Sequence, residues 1–245
     1  MTLWRLEWLR LVRSYRWIIL AAVFGFFGIL GPLTARFLPD IVERFDDSGL
    51  GMPEMGPPDG ITQYVGSAQQ FGHIAIAFVA AAALAIDSNT ELSVFFRTRV
   101  SMRDLFTPRF VVNSIAGALA FTFGAAIAYV GTGVLLAWLD FGPFAIGVAL
   151  QCVYLVFAVA VVGLAGSIVR KTISTAVLAI GVLILLGILT VVPPIAPWLP
   201  SDLAGALDGL IRGGDFEYWR ALAVTVVLIV VLPIIAINRL GHREV

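Results

Sequence analysis

Long uninterrupted runs of apolar residues dominate the chain. The first run extends from Trp17 to Ala35 and ends at Arg36. A membrane-spanning helix needs roughly 20 apolar residues, whereas a strand of a membrane barrel has about ten residues of alternating polarity. The lengths therefore predict helices, which satisfy their own backbone hydrogen bonds in lipid. Six spans are expected, at about residues 17–38, 62–86, 109–139, 142–169, 172–193 and 219–238.

The composition agrees with this pattern. Of the 245 residues, 60% are hydrophobic and 13% are charged, whereas soluble domains have roughly 25% charged residues. A soluble fold would have to expose much of this apolar surface to water, and lipid removes that penalty. We therefore predict an all-α polytopic membrane protein with a single transmembrane domain over residues 1–245.

The distribution of charge predicts the orientation. If the N-terminus is cytoplasmic, 12 of the 16 basic residues fall in cytoplasmic segments, and 11 of the 16 acidic residues fall outside. This matches the positive-inside rule, and six spans return the C-terminus to the cytoplasm. With 15 Arg and one Lys, the composition favours a bacterial source. We expect a multi-pass protein of the bacterial cytoplasmic membrane with both termini cytoplasmic. The outer basic residues are Arg36, Arg44, Arg212 and Arg220.

Residues 3–16 predict a helix that lies on the cytoplasmic membrane surface. Its apolar residues recur at helical spacing, and basic residues on another side would meet lipid phosphates. A simple anchor beside the first span would explain the same pattern. The apolar residues are Trp4, Trp8, Leu11 and Tyr15, and the basic ones are Arg5, Arg13 and Arg16.

Two outer segments separate the spans. Residues 37–60 are acidic and rich in Gly and Pro, so we expect a flexible connection there. Residues 194–218 form a longer extracytoplasmic segment. Within it, the stretch from Ser201 to Ile211 predicts a short helix capped by Ser201 and ended by Gly213 and Gly214.

The cytoplasmic loop of residues 87–108 is unusually long, because most connections have about four to six residues. It alternates charged and apolar side chains, so its apolar side needs a surface to pack against. That surface is either the membrane or a soluble partner. A solvated basic loop that follows from topology alone is the other explanation.

The order of elements around this loop resembles the type-2 ABC exporter permease family. The resemblance covers essentially the whole chain, from the basic interfacial helix to the Leu199-Pro200 pair before the last span. Two motifs of that family, Gly-Thr and Thr-Pro-Val-Ser, stand here with Asn for Gly and Arg for Pro. The matching residues are Asn89-Thr90, Thr98-Arg99-Val100-Ser101, Asp104-Leu105 and Arg109.

The resemblance implies a role for the loop as a coupling helix that docks on a separate ATPase subunit. It implies two ATPase copies, a second permease subunit that is identical or related, and transport in the direction of export. ATP and Mg²⁺ would be bound by the partner ATPase, and no cofactor by this chain. The residues implied in coupling are Thr90, Glu91, Phe95, Phe96, Arg97, Arg99, Arg103 and Asp104.

Several chemistries are excluded. A P-loop needs a lysine after glycine, but the sole lysine, Lys171, follows Arg170. The two histidines, His73 and His242, do not form the H-E-x-x-H motif of a zinc protease. We therefore expect no enzyme activity and no metal site in the chain itself. The net charge of zero gives no indication of nucleic-acid binding.

Polar residues within the spans are candidates for a pathway lining. A weakly polar pathway suits an amphipathic or lipid-like substrate such as a drug, a lipid or a peptide. For each residue, a hydrogen bond between helices is the simpler explanation. An ATP-independent channel or secondary transporter is the alternative, although the interiors of spans two to six lack the ionisable residues that ion coupling usually needs. The candidates are Gln69, Gln70, His73, Asn113, Thr122, Tyr129, Gln151, Tyr154 and Thr190.

Three glycines in the third span, Gly117, Gly124 and Gly131, are spaced by seven residues. Small residues at this spacing allow helices to approach closely. The sequence leaves open whether the close neighbour belongs to the same chain or to another subunit.

Overall fold

The computed structural model of the chain describes residues 2–45, 55–86 and 100–242. Six of the eight residues assigned to coupling, from Thr90 to Arg99, lie outside these ranges. The described residues form helices and no strand. The α-helices are α1 (Leu3–Arg13), α2 (Arg16–Phe45), α3 (Pro57–Ser67), α4 (His73–Leu84), α5 (Met102–Leu135), α6 (Phe141–Ile168), α7 (Thr172–Leu189), α8 (Asp202–Ile211) and α9 (Trp219–Gly241).

Six segments of the described chain are long and apolar enough to cross a membrane. Five are the single helices α2, α5, α6, α7 and α9. The remaining span, Pro57–Leu84, joins α3 to α4 through a five-residue π-helical segment, Ala68–Gly72. The prediction of an all-α fold with six spans is confirmed. We call the end of the bundle that carries α1 the α1 face, and the opposite end, which carries α8, the α8 face.

The prediction of a flexible connection over residues 37–60 is wrong at both ends of that range. Helix α2 continues to Phe45 through Pro32 and Pro39, and an Arg36–Asp40 ion pair one turn apart (3.7 Å) supports its last part. Helix α3 begins early, at Pro57, where a missing backbone N–H costs nothing. The Asp59 carboxylate closes this end by accepting a hydrogen bond from the Gly56 N–H (2.7 Å).

Glycine contacts bring α2 and α5 together. An added Cβ on Gly28 would overlap the carbonyl oxygen of Gly124, and one on Gly124 would overlap that of Phe24. An added Cβ on Gly131 would lie 3.0 Å from the ring of Pro32. Gly124 and Gly131 therefore serve the packing of α2 on α5 within the chain, whereas an added Cβ on Gly117 would only touch the Ile76 side chain of α4.

Helix α6 is the central span. Two thirds of its most apolar window is buried, against 22% for the corresponding windows of α7 and α9. It packs against α4, α5, α7, α8 and α9. The outer surfaces of α7 and α9 are thus poorly covered by the described part of the chain.

The interfacial helix is shorter than residues 3–16. It ends at Arg13, and Tyr15 takes a positive φ of 56° in the turn that leads into α2. Tyr15 therefore does not extend the apolar stripe of α1. Trp4 and Trp8 are exposed, whereas Leu11 is buried against the bundle. The stripe predicted from spacing is therefore divided between exposed tryptophans and a leucine that packs on the bundle.

Candidate functional site

A cavity of about 650 Å³ lies between the spans in the half of the bundle nearer the α8 face. Its walls come from the span that contains α3 and α4, from α6, from the second half of α7 and from the start of α8. Ligand sites typically measure about 300–1,000 Å³. The polar residues that line it are Gln69, Gln70, His73, Tyr154, Thr190, Ser201 and Asp202.

Five of the candidates chosen from sequence thus line one cavity, although they come from three different spans. They are Gln69, Gln70, His73, Tyr154 and Thr190. Ser201 and Asp202 were not among the candidates. They follow the Pro-rich outer segment, and their sequence signal was that of a helix start.

The π-helical segment Ala68–Gly72 shapes one wall. Its last residue, Gly72, packs against the ring of Phe24 in α2. A Cβ added to Gly72 would lie only 2.5 Å from that ring. Such segments disturb the regular hydrogen-bond ladder and are frequent at functional sites. Here the segment carries Gln69 and Gln70. The Gln69 side-chain amide donates to the carbonyl oxygen of Ala204, which ties this wall to α8.

His73 follows the π-helical segment and faces the ring of Tyr154 edge-on, with ring centroids 5.1 Å apart. Its Nε2 atom is buried and has no hydrogen-bond partner among the described residues. An unsatisfied buried polar atom costs about 1–3 kcal/mol. His73 therefore offers a hydrogen-bonding position that the protein itself does not use.

The start of α8 forms the remaining polar wall. Ser201 does not cap this helix as predicted, because its backbone is already helical and its hydroxyl donates to the carbonyl oxygen of Leu186 (2.8 Å). The bond instead fixes α8 to the end of α7. Asp202, the next residue, is half-buried at the cavity, and burial raises the pKa of its carboxyl group.

Gln151 lies behind this wall. With its amide nitrogen turned toward α8, it donates to the carbonyl oxygen of Ala204 (2.8 Å). Nearby, Gly147 lets α6 approach α8, since an added Cβ would lie 2.6 Å from the Cα of Leu207. Gln151 is thus fully buried and holds α6 to α8 without lining the cavity.

The other candidates bond within the protein, away from the cavity. Asn113 donates to the carbonyl oxygen of Arg109, one turn earlier in α5 (2.7 Å). Tyr129 donates to the carbonyl oxygen of Leu139 (2.8 Å) and belongs to an aromatic cluster with Phe144. Thr122 donates back to the carbonyl oxygen of Ala118 (2.9 Å).

On the α8 face, Arg212 connects α8 to α3. Its guanidinium donates to Asp59 (2.7 Å), to Asp208 (3.0 Å) and to the Thr62 hydroxyl (2.9 Å). The bonds to the two carboxylates raise the pKa of Arg212. Because Arg212 is 45% exposed, each pair contributes less than about 1 kcal/mol. The cluster links the end of α8 to α3 with a small contribution to stability.

On the α1 face, Arg109 makes a buried connection between three helices. Its Nε donates to the Glu7 carboxylate of α1 (3.2 Å), and its Nη1 donates to the carbonyl oxygen of Ala83 near the end of α4 (3.0 Å). Both charged side chains are at most 7% exposed. We call this set, Glu7, Ala83 and Arg109, the Arg109 clasp. Glu7 was missed from sequence, although it is the only acid in a basic helix.

The two described coupling candidates lie beside the clasp, at the start of α5. Asp104 and Ser101 form a helix cap, in which the Ser101 hydroxyl accepts from the Asp104 N–H (3.1 Å) and donates to its carboxylate (2.7 Å). This cap accounts for Asp104 structurally. Arg103 is exposed and lines a groove of about 420 Å³ together with Thr2 and Trp4 of the α1 end.

Comparison with known proteins gives an end-to-end match at low identity. No family model matches the chain. The chain is 24% identical over 255 residues to the uncharacterized transmembrane protein YxlG of Bacillus subtilis (strain 168). The match covers 100% of this chain and 98% of the relative. The chain is a multi-pass membrane protein.

Proposed function

We propose that the chain is the membrane-spanning permease subunit of an ATP-driven ABC exporter, which works with a separate ATPase subunit. The substrate is amphipathic or lipid-like and leaves the cytoplasm. The observation that carries the proposal is the Arg109 clasp, and the resemblance of the element order to type-2 exporter permeases supports it.

Two residues that flank the segment 87–99 are held together. Ala83 lies before it and Arg109 after it, and the two are hydrogen-bonded to each other (3.0 Å). The same guanidinium holds α1 through Glu7. A force applied to this segment or to α1 would therefore act on α4 and α5 together. An ATPase that changes shape on binding ATP needs such a stiff connection to move spans.

The proposed orientation places the α1 face in the cytoplasm of a bacterium. This follows from the excess of basic residues that the sequence assigns to that face. The cavity then lies toward the outer side, where an exporter releases its substrate. A second permease subunit would cover the outer surfaces of α7 and α9, which are poorly buried in the single chain.

The first experiment is purification of the tagged chain from its native host in a gentle detergent, followed by mass spectrometry of the proteins that co-elute. We expect a stoichiometric P-loop ATPase. A chain that elutes alone and stable would refute the proposal and favour an ATP-independent channel or secondary transporter.

Two variants test whether the ATPase docks at the α1 face. Replacing Phe95 and Phe96 with Asp should abolish co-elution of the ATPase while leaving the protein in the membrane. Phe216→Asp is the control, because Phe216 is exposed in the connection between α8 and α9 and would lie on the opposite side of the membrane. Equal loss of the ATPase in both variants would contradict docking at the α1 face.

A further inference from the structure

The cavity near α8 carries an unbalanced negative charge. Asp202 is the only Asp, Glu, Lys or Arg among the described residues that line it. The described part of the chain provides no ion pair for this carboxylate, whereas the neighbouring Asp59 and Asp208 are both bonded to Arg212. A half-buried carboxylate without a cationic partner is a binding position for a cation.

The N-terminus of α8 does not reverse this charge. A helix N-terminus contributes roughly half a positive charge, and Asp202 is the first residue of α8. The full negative charge of an ionised Asp202 outweighs it. An anion entering the cavity would therefore meet net repulsion, and a cation would meet net attraction.

The other lining groups also suit an organic cation. Tyr154 and His73 belong to the lining, and aromatic rings attract cations that lie over their faces. Gln70 adds an amide whose oxygen can accept a hydrogen bond. The facing wall of α7 is apolar and includes Ile180, Leu183 and Ile184.

The cavity has room for a bulky apolar group. Gly66, Gly187 and Gly205 come from three different walls, and a Cβ added to any of them would meet no atom within 4 Å. These glycines differ from Gly28 and Gly124, which lie where helices touch. The space between the walls is thus open and is bordered by apolar side chains.

We propose that this cavity binds lipophilic organic cations, with the positive group held at Asp202 and the apolar part against α7. The inference rests on the proposed function in that it names the substrate class of the exporter. As a statement about binding, it applies to the chain alone.

The test uses two ions of nearly the same size and shape but opposite charge, tetraphenylphosphonium and tetraphenylborate. Their binding to the purified chain is measured by equilibrium dialysis in nanodiscs of uncharged lipid, without ATP or any partner, and empty nanodiscs are subtracted. We expect saturable binding of tetraphenylphosphonium and none of tetraphenylborate. Equal binding of both ions, or preference for tetraphenylborate, would overturn the proposal.

Substitutions test whether the bound cation is held at Asp202. Asp202→Asn should weaken tetraphenylphosphonium binding about tenfold, as expected for loss of a charge-assisted contact, and Asp202→Glu should largely keep it. Asp140→Asn is the control, since Asp140 is an exposed acid just before α6, outside the cavity lining. An unchanged affinity in Asp202→Asn, or an equal loss in Asp140→Asn, would refute the role of Asp202.

The two proposals fail separately. An ATPase that co-elutes with a chain that does not bind tetraphenylphosphonium would leave the exporter proposal intact and remove the substrate class. A chain that elutes without an ATPase but binds the cation at Asp202 would remove the exporter mechanism and leave the binding site.

Discussion

The Nε of Arg109 lies 3.2 Å from Oε1 of Glu7, although the two residues are 102 positions apart in sequence. This pair brings a surface helix and the start of a span into one buried contact. Arg10 also reaches Glu7 (3.3 Å), but its side chain is 40% exposed. The two arginines therefore share one carboxylate in very different surroundings, and this difference yields a test.

Glu7→Gln should destabilise the protein strongly, because it leaves the guanidinium of Arg109 buried without a counter-charge. Removal of one partner of a buried pair costs about 3–5 kcal/mol. The apparent Tm, followed by tryptophan fluorescence in detergent, should fall by roughly 6–20 °C.

Arg10→Gln is the matched control for that variant and should change the Tm little, since exposed pairs contribute less than about 1 kcal/mol. Replacing both buried partners, Glu7→Leu with Arg109→Met, should recover part of the lost stability. Similar small shifts for Glu7→Gln and Arg10→Gln would show that the Arg109 clasp is not buried as described.

Gly124→Ala should disrupt the crossing of α2 and α5, because the added methyl group would overlap the carbonyl oxygen of Phe24. Overpacking of this kind costs about 1–3 kcal/mol. Gly117→Ala is the control in the same helix, since its added Cβ would lie 3.4 Å from Ile76 at the closest. Thermal melts of the two variants give the comparison, and equal stability would argue against the close crossing.

Gly205→Leu should reduce tetraphenylphosphonium binding by filling the cavity from the α8 wall. The fold should tolerate the change, because no atom lies within 4 Å of an added Cβ at this position. Gly142→Leu is the control. Gly142 also has no atom within 4 Å of an added Cβ, but it lies at the start of α6, outside the cavity lining. The dialysis measurement decides, and unaltered binding in Gly205→Leu would place the ligand elsewhere.

Arg212→Gln should lower the Tm only slightly, because its side chain is 45% exposed and each of its ion pairs contributes less than about 1 kcal/mol. The difference from the unchanged protein should shrink further in 0.5 M salt, where exposed charges are screened. A loss as large as that of Glu7→Gln would mean that the cluster is more buried than its exposure indicates.

Part of the candidate site was predictable from sequence, since polar residues are few in the spans and therefore conspicuous. Gln69, Gln70, His73, Tyr154 and Thr190 were found in this way. Asn113 and Tyr129 had the same signal, yet they bond to backbone oxygens at Arg109 and Leu139. Polarity within a span does not distinguish a cavity lining from an internal hydrogen bond, because both satisfy a polar group away from water.

The sequence by itself determined the six spans and the all-α class, because the length and apolarity of each run are local properties imposed by the thickness and chemistry of a bilayer. The α8 helix was likewise predictable, although its cap was not. Only the tertiary structure decided that Glu7 meets Arg109, that Gly124 packs within the chain and that Asp202 borders a cavity. These relationships depend on how separate helices pack, and the uniform apolar composition of the spans carries almost no information about which faces meet.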